Sequence, residues 1–470
     1  MHISSDANRT FKKHRSSPEH PKQRTRTEPL SSEDSEYQTT DATSGLAGLR
    51  GNRFAVAAMV LLFLTLVSLT AWRAYSNLSP PSVEFDWGNR GFSDFHNGTY
   101  FPTKAFIDGK SPYSGAVAQE YSLARETPPY SPIVFIIHIP FALLPIEIAR
   151  GAFFVYSLGV LGALAFCSLR MARQPFRWFD FLAIWNLLLL SRPGHLTLFT
   201  GYFTAEIVLG CVLALHFATK KPWLSGLALV LASIKPNFVL PLILMMLFAR
   251  NFKAVAWGIL FCAITAGAGV GWLSHERGFA SVFEEVQSGQ KALHVAPTEM
   301  PVNTWTRLDL TGMFAKVINW APGDSVYLVV MAIMLVAVGL LVLRKSPGNL
   351  RGGAASPQSL FICVGVLLSI YHHVYDCLLI AVPAVALVLY REKSYDQMPA
   401  KLRGLLKILV VVPAVNYLST LSVMGLLEIE KLSFAWQAIT LINGICLLMA
   451  FTILAFYLVS QGNREQSPPN

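Results

Sequence analysis

Charge is scarce in this sequence. Only 14% of its 470 residues are Asp, Glu, Lys or Arg, against about 25% in a soluble protein, and 53% are hydrophobic. That balance argues against a single water-soluble domain and supplies enough apolar residues for about twelve membrane spans of ~20 residues each. Cysteine is scarce too. Cys167, Cys211, Cys262, Cys363, Cys377 and Cys446 all fall inside apolar runs, away from the polar connections where a disulfide framework or a zinc site would need them. No structural metal is expected. Acidic residues are the minority charge, 28 against 38 Lys and Arg, for a net +10. The excess does not point to nucleic acid, because the basic residues lie in short connections between apolar runs, as in membrane proteins.

Residues 1–53 hold nine Lys or Arg and seven Asp or Glu among Ser and Thr. Such a stretch cannot bury a core and reads as a disordered cytoplasmic tail. It is not a secretory signal, since the first apolar run begins only at Phe54 and is too long for an h-region. The membrane domain is expected over 54–460, with 461–470 as a second cytoplasmic tail. Its apolar runs are 54–74, 149–169, 179–191, 204–218, 223–234, 237–249, 254–273, 325–343, 358–371, 374–390, 408–427 and 434–459. The fold class is therefore an all-α polytopic membrane protein of about twelve helices, eleven to thirteen. The segment 132–147, interrupted by Pro140 and Pro145, reads as interfacial or re-entrant, with a thirteenth span as the alternative.

With both termini cytoplasmic, fifteen Lys and Arg fall in the short inner connections, from Arg170 to Lys407. The two long connections, 75–131 and 274–324, then face outward. The same outer face receives the string RPGHLTLFTGY, the tip Lys235-Pro236 and the pair His372-His373. A carboxylate cluster, Glu84, Asp86, Asp94 and Asp108, lies in the first outer loop. Lys235 interrupts an apolar run, where charge is costly unless paired or wetted, and Pro236 favours an extended backbone at the lysine. The basic residues flanking the run make Lys235 the outer tip of a helical hairpin. The bland alternative is a lysine that snorkels to the interface. His372 and His373 are adjacent, so they point apart and do not form a metal pair by spacing; a polar turn between helices is the competing reading. Glu206 and Arg307 are weaker candidates.

The ordered string of motifs resembles the polyprenyl-phosphate-sugar-dependent glycosyltransferases of the GT-C class, specifically family 87 (formerly DUF2029), which includes mannosyltransferases. The similar elements are Asp94-Phe95 with Tyr100, DGKSPY at 108–113, PPYSPIVFIIHIPFALLP at 128–145, LTLFTGYFTAEIVLG at 196–210, SGLALVLASIKPNFVLPLILMML at 225–247 and LLSIYHHVYDCLLIAVP at 367–383. One departure is Tyr202, where the family usually has Gln after the glycine.

The resemblance implies a sugar transferred from a polyprenyl monophosphate to a lipid or glycan acceptor at the extracytoplasmic face of the cell membrane. Mannose is favoured by analogy alone. Attack at the anomeric carbon needs a carboxylate to take the acceptor proton, the role implied for Asp94. The leaving phosphate needs positive charge and donors, implied for Lys235, His372 and His373. Tyr100, Tyr113, Tyr202, Glu206 and Arg307 are candidate donor or acceptor contacts. In-line attack inverts the configuration. No cofactor is implied, with a divalent ion left as an alternative. The competing classes are a multi-pass transporter or flippase, which predicts inverted repeats and midplane charge pairs, and a non-catalytic membrane scaffold.

Overall fold

Helix is the only regular secondary structure among the described residues, and the solvent explains it: in a bilayer each backbone N–H and C=O must be satisfied internally. The computed structural model describes residues 52–80, 89–124, 128–295, 300–320, 322–345, 353–390 and 393–464. Most of the expected N-terminal tail, Glu84, Asp86, Arg351, Arg391 and the last six residues lie outside them.

Helix α1 (Arg53–Ser76) opens on Asn52, whose side chain accepts from the Phe54 N–H at 2.8 Å. A π-helical turn (Phe95–Tyr100) runs into α2 (Phe101–Ile107), then α3 (Gly115–Glu120), α4 (Ile133–Ala142) and α5 (Ile146–Met171). Next come α6 (Trp178–Leu190), α7 (Arg192–Thr200), α8 (Thr204–Phe217), α9 (Pro222–Ala232), α10 (Pro236–Phe248) and α11 (Phe252–Arg277). The second long connection carries α12 (Phe279–Val295) and α13 (Leu310–Ile318), before α14 (Asp324–Lys345) and α15 (Pro357–Ser369). A 3-10 turn (Val374–Ile380) leads into α16 (Ala381–Leu389), followed by α17 (Ala400–Val415), α18 (Leu421–Leu426) and α19 (Phe434–Arg464).

Five helices, α1, α5, α11, α14 and α19, are long and apolar enough to cross a membrane. The remaining expected runs form shorter helices. At 1.5 Å per residue, the 13 residues of α10 extend about 20 Å, short of a ~30 Å hydrocarbon core. The segment at 132–147 gives the ten-residue α4, ending before Pro145, which fixes the break into α5. Helix α9 packs chiefly on α8 and α11, whereas α10 packs chiefly on α14, so the two diverge from Lys235 instead of lying side by side.

The run expected at 408–427 is not one helix. It breaks at Asn416, and the cause is a buried cation from α7. The Arg192 guanidinium donates to the Asn416 carbonyl at 3.0 Å and the Ser419 carbonyl at 2.9 Å, and also to the Ser419 hydroxyl. Those acceptors are backbone groups a continuous helix would consume itself.

Candidate active site

The site is built around a carboxylate, Asp376, at the third position of the 3-10 turn. Its Oδ2 accepts from the His373 N–H at 2.9 Å and pairs with His372 Nδ1 at 3.0 Å. Lys235 Nζ lies 3.3 and 3.4 Å from its two oxygens, and the Thr204 hydroxyl 3.4 Å from Oδ1. Asp376 and Lys235 are 141 residues apart in sequence and both are buried. A buried ion pair recovers its desolvation cost only with good geometry and further hydrogen bonds, which His372, His373 and Thr204 supply.

Pro236 explains the position of the lysine. It occupies the first turn of α10, leaving Lys235 extended at the N-cap (φ −121°, ψ 110°), as a residue before proline prefers. From there Nζ lies 5.3 to 5.5 Å from the ring centres of Tyr375, Tyr202 and Phe238. Three aromatic faces around an ammonium add cation–π attraction.

The two histidines diverge. His372 turns inward against Phe238, at 4.5 Å between ring centres, and its Nε2 is buried without a partner. His373 faces the second long connection: Nδ1 is 2.5 Å from the Thr306 hydroxyl and Nε2 is 2.5 Å from the Tyr371 hydroxyl. An isolated antiparallel bridge joins Arg307 to His373, and the Leu308 N–H donates to the His372 carbonyl at 3.0 Å. Arg307 itself is held by Asp309, with two bonds of 2.8 and 2.9 Å, and lies 4.7 Å over the Tyr371 ring. Burial pushes the Asp309 carboxyl up, but the Arg307 charge, its hydrogen bonds and the Gly312 N–H outweigh it and hold the pKa below the usual range.

Asp94 approaches from the first long connection. It is half-buried just before the π-helical turn, and its carboxylate makes no hydrogen bond or ion pair among the described residues. It lies within electrostatic reach of Tyr375, whose ring centre is 5.3 Å from Lys235 Nζ. The turn after α7 sets this approach. Gly201 closes α7 in the left-handed region (φ +69°), and a Cβ there would sit 2.6 Å from Phe95 Cβ. The adjacent Tyr202 ring stacks on Phe203 at 4.5 Å and lies 4.7 Å from Tyr375.

Other sequence candidates are placed differently. The Tyr100 hydroxyl donates to the Leu144 carbonyl and the Tyr113 hydroxyl to the Tyr130 carbonyl, both at 2.8 Å, so each ties a loop to the bundle. Glu206 is buried against His138, 3.2 Å away, with its second oxygen unpartnered. Asp108 lies apart near the surface with Lys104 and Tyr121. Sequence reading singled out Lys235, His372 and His373 but passed over Asp376 and Thr204. Its missed signal was a second formal charge in an apolar segment, four residues after His372, with a buried lysine in want of a partner.

A model of glycosyltransferase family 87 matches residues 129–413, more than half of the chain. The chain belongs to glycosyltransferase family 87. It is therefore an enzyme that moves a sugar from a donor to an acceptor, as the motif order implied, and its long apolar helices suit a membrane setting. The chain matches no curated protein and no solved structure. The family 87 match takes in Tyr202, Glu206, Lys235, Arg307, His372, His373 and Asp376, while Asp94, Tyr100 and Tyr113 precede its start.

Proposed function

We propose that this family 87 glycosyltransferase transfers a sugar, mannose by analogy with the family, from a polyprenyl monophosphate to a hydroxyl of a lipid or glycan acceptor. The reaction takes place at the extracytoplasmic face of the cell membrane, with both termini cytoplasmic. The acceptor oxygen attacks the anomeric carbon as the bond to the phosphate oxygen breaks, inverting the configuration, and the hydroxyl proton passes to Asp94. The observation that supports the reading is an uncommitted carboxylate near a cation-bearing site: Asp94 has no bonded partner among the described residues and lies within electrostatic reach of Tyr375, whose ring faces Lys235. A general base must keep its lone pairs available for the acceptor proton.

The leaving phosphate collects charge as it departs and needs prearranged donors. Lys235 brings three N–H groups on a point charge. His372 offers Nε2, buried without a partner while Nδ1 pairs with Asp376. His373 and Arg307 hold the second long connection against this site. A phosphate leaving group needs no carboxylic acid to protonate it, unlike the leaving group of a glycosidase, and a monophosphate calls for no pyrophosphate-chelating metal.

The test is an assay of the purified full chain with several polyprenyl-phosphate sugars and membrane lipid acceptors. Asp94→Asn is expected to lower transfer by about 100-fold or more with unchanged thermal unfolding, and full activity in that variant would remove the mechanism. Chelation of divalent ions with EDTA is expected to leave the wild-type rate unchanged. A loss restored by added Mg2+ or Mn2+ would put a metal at the phosphate.

A further inference from the structure

Among the described residues, the buried cations are compensated in recognisable ways, with one exception. Lys235 pairs with Asp376, Arg307 pairs with Asp309, and Arg192 is surrounded by carbonyl and hydroxyl acceptors. Lys316 has no acceptor but can shed its proton. Arg150, on the second turn of α5, is only 9% exposed and can do neither. A guanidinium stays protonated in proteins, and no carboxylate pairs with this one among the described residues.

Its one bond runs from Nε to His96 Nε2, at 2.8 Å. That bond puts the imidazole proton on Nδ1, which is itself buried without a partner. Burial and the adjacent Arg150 charge pull His96 down to about 3, so the ring stays neutral and supplies no counter-charge. The two terminal nitrogens of Arg150 carry no bond to a described residue and keep access to the surface. A buried charge without a bonded counter-ion is costly, and no carboxylate occupies the fork of this guanidinium among the described residues.

The surroundings indicate the chemistry of a group that fits the fork. The hydroxyls of Tyr75 and Tyr100 lie within electrostatic reach of Arg150. Tyr75 and the exposed Trp72 sit in the last turns of α1, and Leu143 and Ile148, flanking the α4–α5 corner, are exposed apolar residues. Exposed aromatics at the end of a span, beside apolar side chains, mark the headgroup level of a bilayer. Glu147 is also within reach and opposes an anion, but makes no ion pair with Arg150. The bound group must therefore offer paired oxygens matching the guanidinium fork, which a phosphate does.

We infer that Arg150, with Tyr75 beside it, binds the phosphate of a membrane lipid at the junction of α1, α5 and the π-helical turn. This site is separate from the Lys235–Asp376 centre and does not depend on the roles given to Asp94 or Lys235. It adjoins the segment that carries Asp94 through His96, two residues further on, which accepts from Arg150.

The full chain in neutral detergent is titrated with phosphatidylglycerol, with phosphatidylcholine or with inorganic phosphate, and thermal unfolding is followed. Phosphatidylglycerol is expected to raise the unfolding temperature saturably. Arg150→Gln is expected to abolish the shift, while Lys104→Gln, which removes a half-buried lysine of α2 paired with Asp108, retains it. Arg150→Lys keeps the charge but loses the fork, and is expected to need about tenfold more lipid for half-saturation. That variant decides the matter where Arg150→Gln does not fold. An equal shift from inorganic phosphate supports the phosphate chemistry and overturns the assignment to a lipid. No shift in the wild type, or an unchanged half-saturation in Arg150→Lys, overturns the site altogether.

Discussion

At the scale of single residues, the centre turns on one carboxylate serving several partners. Asp376 receives Lys235, His372, Thr204 and the His373 N–H, so removing its charge strands the others. In Asp376→Asn the ammonium of Lys235 remains buried without its counter-ion, a change that costs about 3–5 kcal/mol in buried pairs. The expected outcome is a marked fall in stability in chemical unfolding together with loss of transfer. Lys235→Met with Asp376→Leu removes both charges, and such double replacement is often neutral or stabilising. The double variant is expected to recover stability without recovering activity. Regained activity would mean that the pair serves folding alone. The lysine was legible in the sequence because a charge in an apolar run demands an explanation. Its partner was not, since nothing local to YHHVYD says which of several distant polar groups the aspartate will meet.

At the scale of elements, what the sequence conceals is where one helix end presses on another. The string RPGHLTLFTGY suggested a segment at the outer face, but the requirement for Gly201 comes from Phe95, 106 positions away in the chain. Gly201 has both a left-handed backbone (φ +69°) and a Cβ position 2.6 Å from Phe95 Cβ. Gly201→Ala therefore adds strain and overlap, each costing on the order of 1–3 kcal/mol. The easiest relief is a shift of the π-helical turn, which carries Asp94 at its start. The variant is expected to lose kcat while its apparent donor KM stays near that of the wild type, because the cation site lies on α10 and the 3-10 turn. A raised KM with unchanged kcat would place the damage at the cation site instead. The same blindness explains the run at 408–427. Its hydropathy says helix throughout, and only the arrival of Arg192 from α7 gives the carbonyls of Asn416 and Ser419 a better partner than their own helix.

At the scale of the whole molecule, composition and run spacing disclosed a helical membrane protein, and motif order disclosed its family and with it the enzyme activity. Helix lengths were less legible, because an apolar run records burial in lipid or in protein without separating the two. Docking of the second long connection was not legible at all. It is fastened by α13, where Met313 packs on Gly444 and Lys316 is buried with its Nζ 5.8 Å from the Trp436 ring centre. Burial, reinforced by the Arg307 charge and opposed by Asp309, pulls the Lys316 ammonium from 10.5 down to about 7. The consequence for stability has a definite sign. Between pH 10.5 and 7 the unfolded chain binds a proton at this lysine that the folded chain does not, so stability falls as pH falls across that window, by about 1.4 kcal/mol per pH unit. Below pH 7 both states are protonated and the loss is complete; above pH 10.5 neither is, and there is none. Lys316→Met keeps the apolar stem and removes the titration. Unfolding curves of the two proteins, measured across this range in one detergent, should therefore converge near pH 10.5. Toward pH 7 they should separate in favour of the variant. Curves that stay parallel would show that Lys316 keeps its proton in the folded protein, and that the contact between α13 and α19 holds a charged lysine at full strength.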